Sequence, residues 1–432
     1  VKIHSSIKVK DAKDDTLVIT STIWGPIIDK DFHGAMRAVR WIAHDVDGVN
    51  LNLINMVNAK TVEQAQAIAN VCSIPPQNFV CADKDGRIGW TIIGKIPKRI
   101  GFSGRTPVSW ADGRNRWDGR LQAKDYPRII DPSSGIIWTA NARVVGGQMF
   151  EIVGDGRYDL GARAKQIRDG LLNVENATEG DMLAIQLDDR AIFLQRWRDM
   201  ILQKLSPDAI VNDSLRQHFR SLIDSTWTGR ASINSVAYRL VRAYRLHAFQ
   251  TVFGWLTAEC KRYDARFNIW EFNQWEGSLW KLITEQPTHL LSPEFKSWDE
   301  ALLAIADSTI STFQKSNLNL HESTWGSRNT SAIKHPLAYA VPQVANWLNM
   351  PATRLPGDSN MPRFQSRGAG ASERFAVSPG HEADAYFHMP GGQSGHFLSP
   401  YYRGDHQAWE QGLATPFLPA EIKWTLKLEP KL

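Results

Sequence analysis

SSGIIWTANARVV, running from Ser133 to Val145, is the stretch on which the reading of this chain turns. The Pro132-Ser133-Ser134-Gly135 run is a turn signal, and the apolar residues Ile136, Ile137 and Trp138 after it predict a short buried strand. A polar segment, Thr139-Ala140-Asn141-Ala142-Arg143, closes that strand. A strand ending in an amide and a guanidinium presents fixed hydrogen-bond donors to a ligand. The Nδ2 amide of Asn141 suits one task in particular, donation to the oxygen that gains negative charge when a carbonyl is attacked. The plainer reading of the same residue is closure of a turn.

Working outward, the composition is that of a globular protein. Its 432 residues are 43% hydrophobic and 22% charged, enough to bury a sizeable core in roughly two to three domains or one composite one. Fifty basic residues stand against 45 acidic ones, and no run of like charge concentrates the +5 balance, so no nucleic-acid partner is indicated. Cys72, Cys81 and Cys260 form no C-x-x-C pair, so neither a zinc site nor a disulfide scaffold is indicated, and Cys72 and Cys81 read as buried thiols rather than as a bridge in an oxidising compartment. No apolar run approaches the ~18 residues of a membrane span, and no leader pattern opens the chain. Val1 leads straight into strand-like Ile3 to Val9, a start that reads as an internal cut in something longer.

Residues 1–58 read as strands: 17–23 alternate with a two-residue period, the turn at 10–15 pairs them with Ile3–Val9, and Ala35–Ala43 continues the sheet. A helix is expected from Thr61 to Val71, with Thr61 as N-cap and Gln64 as its capping-box partner. Asp85-Gly86 between two apolar runs marks a hairpin joining Phe79–Ala82 to Ile88–Ile93. A helix from Gly161 to Leu172 begins Ala162-Arg163. From Thr178 to about Phe313 the apolar spacing is helical, and the stripe of Tyr244, Phe249 and Phe253 is read as core. A loop-rich portion follows, with a short helix near Val341–Leu348 and strands at Phe375–Val377 and Ala385–His388. The pattern divides the chain at 1–175, 176–320 and 321–432.

Several motifs carry less than they suggest. Pro390-Gly391-Gly392-Gln393-Ser394-Gly395-His396 lacks the Lys-Ser/Thr ending of a phosphate-binding loop and reads as a tight turn. His381 and His388 stand near Glu382 and Asp384, but at no standard metal spacing, so loop hydrogen bonding is the better reading. No Gly-x-Ser-x-Gly elbow is present. Seventeen tryptophans invite a carbohydrate reading, yet no pair of carboxylates stands out as acid and nucleophile.

Taken together and in order, NFVCADKDGRIGW (78–90), SSGIIWTANAR (133–143), LGARAKQI (160–167), Trp325-Gly326 with His335-Pro336-Leu337, and SPGHEADAYFHMPGGQSGHFLSPYY (378–402) resemble the β-chain of the penicillin acylase family of N-terminal nucleophile hydrolases. The likeness runs from about residue 16 to 420. It implies an α+β fold, an αββα sandwich with a large helical elaboration, and hydrolysis of an acyl amide. In that family the β-chain's first residue is the nucleophile, usually Ser, and its own α-amine is the general base. The resemblance puts Asn141 in the oxyanion hole and Arg163 beside it, orienting polar groups. It places Gln77 and Leu53 on the acyl pocket, and offers Glu151 and the Gly104 carbonyl to a structural calcium. Val1 has no nucleophilic side chain, so the nucleophile is expected on a β-chain segment ahead of this one. That segment, an α-chain of the same precursor and a small acyl amide are the implied partners, with a periplasmic or secreted location. The chain on its own is expected to be inactive. The alternative is a non-catalytic member or fragment that keeps the fold as a binding or scaffold module.

Overall fold

The two-residue alternation near the N-terminus does what its period demands. In the computed structural model, which describes residues 1–154 and 157–430, β1 (Lys2–Ile7) and β2 (Asp15–Thr22) pair antiparallel with Ile3 opposite Ile19. β3 (Gly25–Lys30) and β4 (Met36–Ala38) complete a four-stranded meander. The expected continuation to Ala43 stops at Ala38. Beyond it the chain turns to bury Ile42, and Asp45 ties the turn down by accepting Arg40 at 2.5 Å and pairing with Arg120.

The chain forms two compact units, Val1–Asp159 with Thr257–Gln274, and Leu160–Leu256 with Trp275–Leu432. Mixed sheet and helix make the fold α+β, as expected. In the first unit, α1 (Val62–Val71) starts on Thr61, whose hydroxyl accepts Gln64 N at 3.3 Å. The Gln64 side chain returns to Lys60 N at 2.8 Å, one residue earlier than a capping box requires. The Asp-Gly hairpin joins β5 (Gln77–Ala82) to β6 (Ile88–Ile93), with Gly86 at φ +81° in the turn. Further on, β7 (Pro97–Ile100) pairs with β8 (Arg116–Arg120), and β9 (Arg128–Ile130) adds to β6 to give the order β5-β6-β9.

Alternation gives the β5-β6-β9 sheet two distinct faces. Thr91 and Ile93 face α1, where Asn70 donates to Thr91 Oγ1 at 3.1 Å and to Ile92 O at 2.9 Å. Trp90 and Ile92 face the other way, into a core with Ile96 and Tyr126. On that second face the expected strand Ile136–Trp138 is absent. The turn is real (Gly135, φ +67°), but residues 136–146 carry no ladder among the described residues. Ile137, Val144 and Val145 pack on the Trp90 core instead, so burial alone accounts for the apolar run.

The second unit is mainly helical, with α2 (Gly147–Val153) still in the first. α3 (Ala162–Leu172), α4 (Glu179–Gln186), α5 (Ile192–Lys204) and α6 (Ser214–Ser225) lead to α7 (Val236–Leu256). Tyr244 and Phe249 are fully buried on α7, as the stripe predicts, and Phe253 is half-buried. Glu276, itself buried, accepts from Arg196 (2.6 Å), Arg245 (2.8 Å) and Trp197 Nε1 (2.8 Å), tying α5, α7 and the helix Trp275–Glu285 together. Within this helical stretch Thr257–Gln274, which carries the short helix Ala258–Tyr263, belongs to the first unit. Near the C-terminus a short helix, Ala345–Leu348, and the antiparallel pair β10 (Arg374–Ala376) and β11 (Tyr386–His388) follow the expected positions.

Candidate active site

Asn141 sits on the irregular segment that covers the Trp90 face of the β5-β6-β9 sheet. Its rigidity comes from three anchors rather than from a ladder. Asn78 of β5 donates its Nδ2 to Ala140 O at 3.3 Å, while its Oδ1 accepts the Trp90 indole N–H at 3.0 Å. The next residue, Ala142, is buried. Asp159 N donates to Asn141 O at 3.0 Å, closing the segment on its far side. The Asn141 side chain itself is exposed to solvent. A short amide-bearing segment fixed by its neighbours' backbone bonds, with its own amide at the surface, can offer a fixed donor to an incoming oxygen.

Asn78, which holds the Asn141 segment through these two bonds, was not singled out by sequence reasoning. Its place in β5, on the same face as Trp90 and Ile92 by register, put it within reach of the Trp90 indole, the buried group that needs a partner.

Arg163 is the second residue of α3, in the second unit, half-buried with its guanidinium carbon 5.2 Å from the centre of the Phe364 ring. Gln166, one turn on, is buried and donates to Arg190 O at 3.2 Å, holding the first turn of α3 in place.

Gln77 opens β5 and pairs with Ile93, which by parity puts its side chain on the α1 face, opposite to Asn78. Leu53 belongs to the 3-10 helix Asn52–Asn58, and Met56 of that helix packs against Ala69, Cys72 and Ile93 on this face. Gln77 and Leu53 therefore share one side of the sheet, and the Asn141 segment lies on the other. Both residues are exposed, Gln77 at the very end of the strand.

Glu151 and Gly104 do come together, around arginines. Arg105 donates to Glu151 Oε1 at 2.9 Å, and Arg99 donates to Glu151 O at 3.1 Å and Ile152 O at 2.7 Å. The Arg99 side chain also lies against Gly104. One carboxylate already paired with a guanidinium, beside a second guanidinium, does not fit calcium, which takes six to eight oxygen ligands. No cluster of three or more His, Cys, Asp or Glu stands among the described residues. His388 is buried between Arg374 Nη1 (3.1 Å) and Leu413 O (3.1 Å), and Glu382 accepts Gly380 N at 2.9 Å.

Neither Cys72 nor Cys81 is an activated thiol. Burial, with Asp83 and Glu63 adding to it, pushes Cys81 up to about 11, and burial raises Cys72 as well.

The sequence model of penicillin amidase matches residues 1–423. The chain belongs to the penicillin amidase family. Penicillin acylase 2 proenzyme of a Pseudomonas species is 25% identical over 430 residues, covering 95% of this chain and 53% of the relative. The acyl-homoserine lactone acylase QuiP of Pseudomonas aeruginosa is 23% identical over 435 residues, covering 89% of this chain and 49% of the relative. The chain thus spans about half the length of these members of the penicillin amidase family. Among solved structures, penicillin G acylase from Alcaligenes faecalis shares the fold at a TM-score of 0.64 and 16% identity, over 100% of this chain and 82% of that one. No helix among the described residues is long and apolar enough to cross a membrane.

Proposed function

We propose that this chain forms the larger part of the β-subunit of a penicillin-amidase-family hydrolase that cleaves an acyl amide, and that Asn141 holds the oxygen of the tetrahedral intermediate. The reaction begins when the hydroxyl of an N-terminal nucleophile, carried outside this chain, attacks the amide carbonyl and its α-amine takes the proton. The carbonyl oxygen becomes an anion, and the Asn141 Nδ2–H₂ donates to it. Collapse breaks the C–N bond, the amine leaves with the proton, and water then releases the acyl group. Arg163 is proposed to orient polar groups around the nucleophile's amine, a role that suits a fixed, always-charged guanidinium. Gln77 and Leu53, exposed at the end of β5 and on the helix beside α1, are proposed to meet the acyl chain where it passes the end of the sheet.

The observation that supports this reading best is the clamp on the Asn141 segment, the Asn78 amide held between Ala140 O and the Trp90 indole. A donor contributes to catalysis in proportion to how little it must reorganise, and that clamp removes the freedom. The relatives named for acylase activity supply the reaction class. Processing from a precursor, an α-chain partner and a periplasmic or secreted location are proposed on the same ground, the first relative being named as a proenzyme.

Asn141→Ala in the intact precursor tests the assignment. With a chromogenic acyl anilide, turnover should fall by about two to three orders of magnitude while thermal stability holds. Turnover near that of the unaltered protein would remove Asn141 from the mechanism.

A further inference from the structure

The second unit holds a cluster of arginines that nothing in the amidase reading uses. A cavity of about 170 Å³ opens between α7, the helix Trp298–Lys315 and the segment around Arg328. Arg239, Arg242 and Arg328 line it, with Ala243, Leu246, Phe313 and Leu318 supplying an apolar wall. Asp358 is the carboxylate at this cluster, and it is fully engaged. It accepts Arg242 Nε at 2.6 Å, Tyr238 Oη at 2.9 Å and Ser359 N at 2.8 Å.

Arg239 and Arg328 have no such partner among the described residues. Arg239 gives one nitrogen to Ser327 Oγ (2.9 Å) and Thr324 O (3.3 Å), and its buried Nε donates to nothing. Arg328 makes no ion pair there and lies over the Trp325 ring at 5.5 Å, on which Arg242 also stands at 5.3 Å. Burial, and then the Arg242 guanidinium, lower the Arg328 pKa, the mark of cations crowded together in a half-dry place.

We propose that this cavity binds a small monocarboxylate with an apolar body, its carboxylate held by Arg239 and Arg328 and its body against Leu246, Phe313 and Leu318. The guanidinium fork matches a carboxylate bidentately, which an ammonium does not. A volume near 170 Å³ suits a ring or a chain of five or six carbons, since an apolar cavity of about 150 Å³ accepts benzene. A bare inorganic anion would leave the apolar wall uncovered. The site is built within the second unit, and its occupancy does not depend on whether the chain takes part in amide hydrolysis.

Calorimetric titration of the mature protein with hexanoate at low salt tests this. One saturable site is expected, weakening as salt is raised. Hexylamine, with the same body and the opposite charge, should not bind, and inorganic phosphate should bind less tightly than hexanoate. Arg328→Gln should weaken hexanoate about tenfold or more, with Arg328→Lys in between. Leu318→Glu, which puts a carboxylate at the exposed rim, should weaken it too. Hexanoate binding unmoved by Arg328→Gln, or equal binding of hexylamine, would overturn the proposal. So would phosphate binding more tightly than hexanoate. Failure of the mature protein to bind hexanoate at all would overturn it as well, and would point to an acidic side chain of a partner segment in its place.

Discussion

At the scale of single residues, position decides more than identity. Asn141 was singled out by the family resemblance, since an amide after an apolar run reads equally as the close of a turn. Asn78 was not, because its worth lies in what it touches across the sheet. Asn78→Ala leaves the Trp90 indole N–H and the Ala140 carbonyl without their partner. The expected cost is about 1–3 kcal/mol of unfolding free energy. Because the segment also loses its clamp, turnover should fall by more than the Michaelis constant rises. Denaturant unfolding together with steady-state kinetics reads both effects. A variant that loses stability but keeps its turnover would show that Asn78 holds the fold and not the site.

At the scale of elements, the hairpins were legible because a two-residue period and an Asp-Gly turn leave little choice, as β5 and β6 show. α1 was legible from Thr61 and its apolar spacing. The strand expected at Ile136–Trp138 was not there, since three consecutive apolar residues signal burial and burial came from packing on Trp90. Nor did any local signal mark Thr257–Gln274 as part of the first unit. Its ties, such as Asn273 Nδ2 to Arg157 O at 2.7 Å and Gln274 Nε2 to Asp159 O at 3.0 Å, join residues far apart in the sequence. The β10–β11 pair carries a pH dependence of definite sign. Burial, and then the Arg374 guanidinium opposite, lower His388 to about 4, against about 6.5 for a free imidazole. The fold therefore favours the neutral ring. The stability this contributes is complete above about pH 6.5 and is lost as pH falls toward 4. Urea unfolding across that window should show the decline, and His388→Gln should flatten it. An equal slope in the variant would assign the dependence to other groups.

At the scale of the molecule, the chain spans about half the length of the relatives it matches, 53% and 49% for the two acylases. Its first residues expose many large apolar side chains, among them Ile23 (89%), Leu51 (84%) and Val57 (82%). The partner segments proposed above would have such side chains to cover. The α+β class and the order of the hairpins were open to reading in advance. What the functional account rests on is that Asn141 meets an oxygen only once that oxygen is tetrahedral and negative. An alkylboronic acid forms an adduct of that shape and charge on a nucleophilic hydroxyl, so its affinity for the intact protein measures the contact directly. Asn141→Ala should weaken the boronic acid about a hundredfold or more, and leave the affinity for the released carboxylic acid unchanged. Equal affinity of both proteins for the boronic acid, or an equal loss for both ligands, would contradict the account.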